Sequence, residues 1–550
     1  MRNQVIILTV LIVSITILQA DDKIDITTTA DSMSWDNYWA HVSYFASDEL
    51  EGRDIATKGY NLAAKYTAEK FQAAGLKPFG DDSTYFQKVP FNRASLVQSS
   101  FDLTFTNGKS TVKTSYGENV SAVLNTDAAT FDGTAKLVFV GYGNIIPEAG
   151  INDYANLDVR DKVVVIAHGS PESLVDSLKL GLTSKLKLAE EQGAKGVVAF
   201  APGKRRAEKK TFQNYHRWLG KSRLYISDPE VAKKRYDLDM VCFIKESIAR
   251  KLLRKGGLNL RRALRKMKKG EFRSQEINTS LTCSYEMTNK NMDCKNVVAL
   301  LPGTDSLLQH EYIVVGAHLD HVGIGPAVEG DSIRNGLWDN ATGSGATISI
   351  AETFHSAGIR PKRSIVFINY TGEEKGLLGS HYFANTYGVD SINVVVNVNI
   401  DMLGGPIETS DITPLGYNHS SVSEAVDRVA EDLGLTLADP TKVEKRFIHR
   451  SDQMSFMKLG IPLLNFNYGK QALNPEIDPD EKFEEWMQTR YHTPSDDLNQ
   501  PYDVGGFFTA LKANFLATYY LANEVEKIEW YEDSWVYEKH VKPALEASRS

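Results

Sequence analysis

The chain has 550 residues, with 62 Lys and Arg against 70 Asp and Glu, for a formal charge of −8. This mildly acidic balance gives no global drive toward nucleic acid, and only three cysteines exclude a disulfide scaffold and the familiar paired-thiolate zinc sites. The length exceeds what one core usually organises, so at least two domains are expected.

Met1, Arg2 and Asn3 precede an apolar run from Val5 to Leu18, and Asp21-Asp22 follow Ala20. That layout is a secretory signal peptide over residues 1–20, too short to span a bilayer comfortably. Export to the periplasm or the exterior, with no stable membrane span after cleavage, is the expectation; an uncleaved anchor is the alternative. In an oxidising compartment Cys283 and Cys294 are a candidate bridge, with three free thiols as the other outcome.

The loop Ser47-Asp48-Glu49-Leu50-Glu51-Gly52-Arg53 leads to a helical run from Gly59 to Ala74, stopped by Gly75. From about residue 95 to 287 the texture becomes mostly β with one or two helices. Strand-like segments are Phe101 to Thr106, Ala135 to Val140, Lys162 to Ala167 and Gly196 to Phe200. This reads as a module inserted into a discontinuous α/β domain made of residues 21–94 and 288–550. Two basic clusters lie in the module, Lys204 to Lys210 and Arg250 to Lys269. Leucines interleave with the second, so it reads as the solvated face of a surface helix, with a polyanion-binding patch as the other reading.

Beyond Asn296, apolar strands at Tyr312 to Gly316, Ser364 to Tyr370, Val394 to Ile400 and Pro462 to Phe466 alternate with helices at Ala341 to His355, Leu377 to Thr386, Ser420 to Leu433 and Gln453 to Leu459. Such alternation predicts a mostly parallel-centred mixed sheet sandwiched by helices. Ligands of open α/β sheets bind beyond the carboxyl ends of the strands. Three strand exits carry polar groups there: His318 after the first, Glu373-Glu374 after the second, and Asp401 after the third. Asp339 sits in the small-residue turn Trp338-Asp339-Asn340-Ala341-Thr342-Gly343-Ser344-Gly345, and His492 in the late loop Tyr491-His492-Thr493-Pro494.

Imidazole and carboxylate ligands suit zinc, and a two-metal site needs a carboxylate with both oxygens available as a bridge. Asp339 is the natural bridge, each zinc then taking one His and one further acid. Of the adjacent pair Glu373-Glu374, one ligates while the other faces water as general base. His381 reads as a packing or solvent-exposed residue, His321 as a neighbour of the site rather than a ligand, and His449 as a residue near the pocket.

The segments Gly316-Ala317-His318-Leu319-Asp320-His321, Trp338 to Gly345, Thr371-Gly372-Glu373-Glu374-Lys375-Gly376, Asn399-Ile400-Asp401-Met402 and Tyr491 to Pro494 resemble the zinc-dependent aminopeptidases related to glutamate carboxypeptidase. Val140-Gly141-Tyr142-Gly143 and Ala194-Lys195-Gly196-Val197-Val198 resemble the protease-associated domain that many members carry inserted. The resemblance implies the bizinc exopeptidase fold and a peptide substrate. His318 and Asp401 would hold one zinc, Glu374 and His492 the other, and Asp339 would bridge two Zn2+ per chain. It further implies Glu373 as general base, Asp320 as the partner that orients His318, Tyr491 as a donor to the oxyanion, and a non-proline cis peptide after Asp339. One departure is visible: where members often show Ser-Asp-His, this chain has Ser451-Asp452-Gln453. The loop holding Arg450 and Asp452 is a candidate substrate-facing segment. Removal of N-terminal residues is the leading expectation. A carboxypeptidase or dipeptidase of the same family is the alternative, and a glutaminyl cyclase or an inactive receptor-like relative stands behind it.

Overall fold

The computed structural model describes residues 25–549 apart from 109, 125–129, 156, 176–177, 204, 221, 233–237 and 406. The apolar run from Val5 to Leu18 therefore lies outside the described residues, and no described helix is long and apolar enough to cross a membrane. The chain divides into two compact units, one of residues 1–86, 297–370 and 391–550, the other of residues 87–296 and 371–390.

The first unit is built on a mixed sheet with a parallel centre. Glu311–His318 lies between Ser364–Tyr370 and Asn393–Asn399, parallel to both, and Asn393–Asn399 runs parallel to Leu463–Asn467. Antiparallel neighbours flank this centre: residues 297–301 beside Ser364–Tyr370, and Asp411–Leu415 beside Leu463–Asn467. Every residue of Ser364–Tyr370 is buried, as expected of a strand covered on both faces. Ile313, Val315 and Ala317 enter the main core, while Val314 between them is equally buried on the other face. Each such side chain contributes about 1.5–3 kcal/mol on burial, so the strands cannot slip in register without exposing that set.

Local signals set the helices around this sheet. Ser34 caps Trp35–Phe45 by accepting from the Asn37 amide, and Thr57 caps Lys58–Ala73 by accepting from Tyr60. The latter ends before Gly75, whose φ of +69° is open to glycine at low cost. Thr342–Ser356 is buried throughout residues 342–351, and it packs on Glu311–His318 and on Trp35–Phe45. All four anticipated strands of the second half are present, with ends shifted by at most two residues.

The second unit holds its own sheet. The strands at residues 130–139, 163–167, 196–200 and 240–244 run parallel in succession, and antiparallel partners at residues 275–286 and 120–124 flank them. Among the described residues, four helices lie between residues 182 and 268, more than the one or two that the mostly β texture indicates. Two of the four are the leucine-interleaved cationic stretches, whose apolar stripe is masked in composition by the charges. Cys242, Cys283 and Cys294 are all buried.

Candidate metal centre

Parallel pairing brings the expected strand exits together. His318 ends its strand in register with Tyr370, and Gly316 pairs with Asn399, two residues before Asp401. His318 Nε2 lies 3.2 Å from Asp401 Oδ1 and 3.2 Å from Asp339 Oδ1. The other oxygen of Asp339, Oδ2, lies 3.1 Å from His492 Nε2. One carboxylate thus presents each oxygen to a different imidazole. Ligand atoms of His318, Asp339 and Asp401 all fall within 4.8 Å of one another.

The tautomer of His318 follows from its neighbour. Nδ1 lies 3.0 Å from the main-chain oxygen of Asp320, which can only accept, so Nδ1 carries a proton. The structure thus shows Asp320 meeting His318 through its backbone carbonyl. A neutral His318 then points the lone pair of Nε2 at two carboxylate oxygens, acceptor against acceptors. Such a site calls for a cation between them, a proton or a metal ion. Burial disfavours the charge on Asp339, yet the side-chain contacts from His318 and His492 and the nearby charge of His321 hold its carboxyl well below the usual range.

Several further residues build this site. His321 is fully buried, 4.0 Å by Nδ1 from Asp339 Oδ2, and its ring stands edge-on to His492 with centroids 5.3 Å apart. Asp496 accepts from the amides of Trp338 at 3.0 Å and Asp339 at 3.2 Å, and burial raises its own pKa. Its signal was available, since it lies in the same loop as His492, four residues on. Asn340 donates to the Ile400 carbonyl at 2.9 Å and accepts from the amides of Gly343 and Met402, so it fastens the Asp339 turn to the Asp401 turn. The peptide between Asp339 and Asn340 is cis. A Cβ at Gly343 would lie 2.3 Å from the Ile400 carbonyl oxygen, so only glycine lets the two turns approach this closely.

Arg53, fully buried, spends its guanidinium on main-chain carbonyls of Phe45, Leu319, Asn335 and Gly336. Three of these belong to the segments that carry His318 and Asp339. Arg334 Nε donates to the His492 carbonyl at 2.9 Å, bracing a residue whose φ is +57°. Tyr491 is exposed and stacks on His492, ring centroids 3.8 Å apart.

The Arg450 to Gln453 loop divides. Arg450 is exposed with its guanidinium over Phe447, whereas Asp452 is fully buried. Asn399, two residues before Asp401, donates to Ser451 Oγ at 2.9 Å and to Gln453 Oε1 at 2.7 Å. Gln453, the visible departure, thus supports the strand end that leads to Asp401. His449 is exposed; His381 Nε2 meets the Val231 carbonyl at 2.9 Å within the second unit. Glu373 and Glu374 lie in residues 371–390, which belong to that second unit. The Glu373 carbonyl closes a turn by accepting from Gly376 and Leu377 before the helix Leu378–Asp390.

Several known proteins are similar to this chain. A probable zinc metalloprotease of Phaeosphaeria nodorum is 27% identical over 247 residues, covering 36% of this chain and 49% of its own length. An aminopeptidase of Pseudomonas aeruginosa is 25% identical over 444 residues, 77% of this chain and 68% of its own length. The chain spans about half the length of the first curated relatives it matches. An aminopeptidase from Aneurinibacillus sp. strain AM-1 shares the fold, with a TM-score of 0.51 at 19% identity over 92% of this chain and 99% of that one. The profile of peptidase family M28 matches residues 296–510, the stretch that supplies His318, Asp339, Asp401 and His492.

Proposed function

We propose that this chain is an exported zinc-dependent exopeptidase, an aminopeptidase that removes N-terminal residues from peptides. The observation that carries the reading is the division of the Asp339 carboxylate between His318 and His492, which is what a bridge between two cations requires. The names of the Pseudomonas and Phaeosphaeria relatives support the activity and the metal. His318 and Asp401 would hold one zinc, Glu374 and His492 the second, with Asp339 shared. Bound zinc would supply Lewis acidity toward the substrate carbonyl and a water that ionises near neutrality. Glu373 takes the proton of the attacking water and returns it to the leaving amine. The Tyr491 hydroxyl, on an exposed ring beside His492, donates to the carbonyl oxygen as negative charge develops. Asp320 fixes the tautomer of His318 through its carbonyl, and Asp496 does the same for the orientation of the Asp339 backbone. Export rests on the run from Val5 to Leu18.

The test is hydrolysis of amino-acid anilides and of a mixed peptide library, with bound zinc counted on the same sample. Trimming from the N-terminus, loss on chelation, recovery with zinc and about two metals per chain are expected. Glu373→Ala should lower kcat by roughly 10²–10⁴-fold with zinc content unchanged. Full activity in that variant removes Glu373 from the mechanism, and trimming from the C-terminus replaces the aminopeptidase by a carboxypeptidase.

A further inference from the structure

Residues 250–273 of the second unit hold eleven Lys and Arg and one acid, Glu271, while the chain as a whole carries −8. This segment is therefore +10 in a chain whose remainder is −18. The helices Glu246–Lys255 and Leu260–Lys268 account for most of it. Their inner faces, including Leu252, Leu253, Ala263 and Met267, belong to one buried core cluster. The two helices also touch each other, and Arg250, Lys251, Arg254, Arg261, Arg262, Arg265 and Lys266 on their other faces are exposed.

An amphipathic stripe explains why the outer faces are charged but not why they carry one sign. A solvated face ordinarily intersperses both signs, because like charges at helical spacing repel. Among the described residues, only Arg250 with Glu246 and Lys268 with Glu172 pair with carboxylates. Neither helix carries an aromatic residue on which a base could stack. The apolar residues are committed to the core, so these helices have nothing left to insert into hydrocarbon. Helices of ten and nine residues present a cationic face about 15 Å long, matched to a field of anionic headgroups rather than to one ligand.

We propose that the outer face of the helices Glu246–Lys255 and Leu260–Lys268 is an electrostatic docking surface for an anionic phospholipid bilayer. Adhesion of this kind sits at the headgroup level, adds up over several cations and is screened within a Debye length. The test is co-sedimentation of the full chain with phosphatidylcholine vesicles, with and without roughly one third phosphatidylglycerol. Binding to the anionic vesicles at least about tenfold above the neutral ones, falling about tenfold or more between low and high salt, is expected. The combined variant Arg261→Gln, Arg262→Gln, Arg265→Gln, Lys266→Gln should lose it, while the exposed pair Lys113→Gln, Lys290→Gln should retain it. Melting temperature checks that the variants fold, and the salt titration of the unaltered protein needs no variant. Equal binding to neutral vesicles, binding indifferent to salt, an unaffected four-site variant, or capture of single-stranded DNA without capture of anionic vesicles would each overturn the proposal.

Discussion

Two aspartates in this molecule sit in polar nests with opposite consequences. In the first unit, burial opposes the charge on Asp339, but direct contacts from His318 and His492 win and its carboxyl is held low. In the second unit, burial pushes Asp153 up to about 6 despite the Asn144 amide 2.8 Å from its Oδ2 and the attraction of Lys185. The difference is where the cationic group spends its hydrogen bonds. Lys185 gives its protons to the main-chain oxygens of Tyr142 and Gly169, and burial pulls its own pKa down to about 8. Two imidazoles in contact outweigh desolvation; an ammonium turned to carbonyls does not. One nest is arranged to keep a negative charge in place, the other to hold a loop.

The sharpest way to break that comparison is Asp339→Asn, which keeps the shape and removes the charge. Loss of hydrolysis by more than about 100-fold, the upper range for groups that merely orient a ligand, together with loss of bound zinc, is expected from peptidase assays and metal counting. Retained activity would mean the imidazoles do not face a working carboxylate. Next in size is Arg53→Met, which keeps the length and leaves four carbonyls, including those of Leu319 and Gly336, without their donor. A loss of about 3 kcal/mol in urea unfolding follows from the penalty for stranded polar groups, and an unchanged midpoint would show that the frame of the Asp339 nest needs no such brace.

The smallest effect concerns Asp153. Its folded pKa lies above the unfolded 3.8, so its contribution is fully present below about 4 and is lost as pH rises to about 6. Lys185 is shifted down from 10.5 to about 8, so stability recovers as pH climbs from about 8 to 10.5. Unfolding of the second unit should track these windows, with steps on the order of 2 kcal/mol. Asp153→Asn should abolish the acidic step; an unaltered pH profile would remove Asp153 from the account.

What the sequence made legible follows a physical rule. His318, Asp401 and the strands bearing them could be read because apolar runs mark parallel strands and their exits mark a ligand rim. Asp339 could be read because glycines and small residues announce a tight turn. Arg53 and Asn340 could not, since each acts by hydrogen bonds to backbone groups far away in sequence, and no periodicity encodes such a partner. His321, read as a neighbour of the site from its closeness to His318, is fully buried beside His492. Gln453 was legible as a departure, while its bond to Asn399 was not.

The amide side chain of Asn340 joins the turn of Asp339 to the turn of Asp401 by serving Gly343 and Met402 with one oxygen. Two stretches of chain 59 residues apart are thereby made a single mechanical element. Their backbone amides should open to solvent in one step rather than two, so the ligand shell frays all at once or not at all.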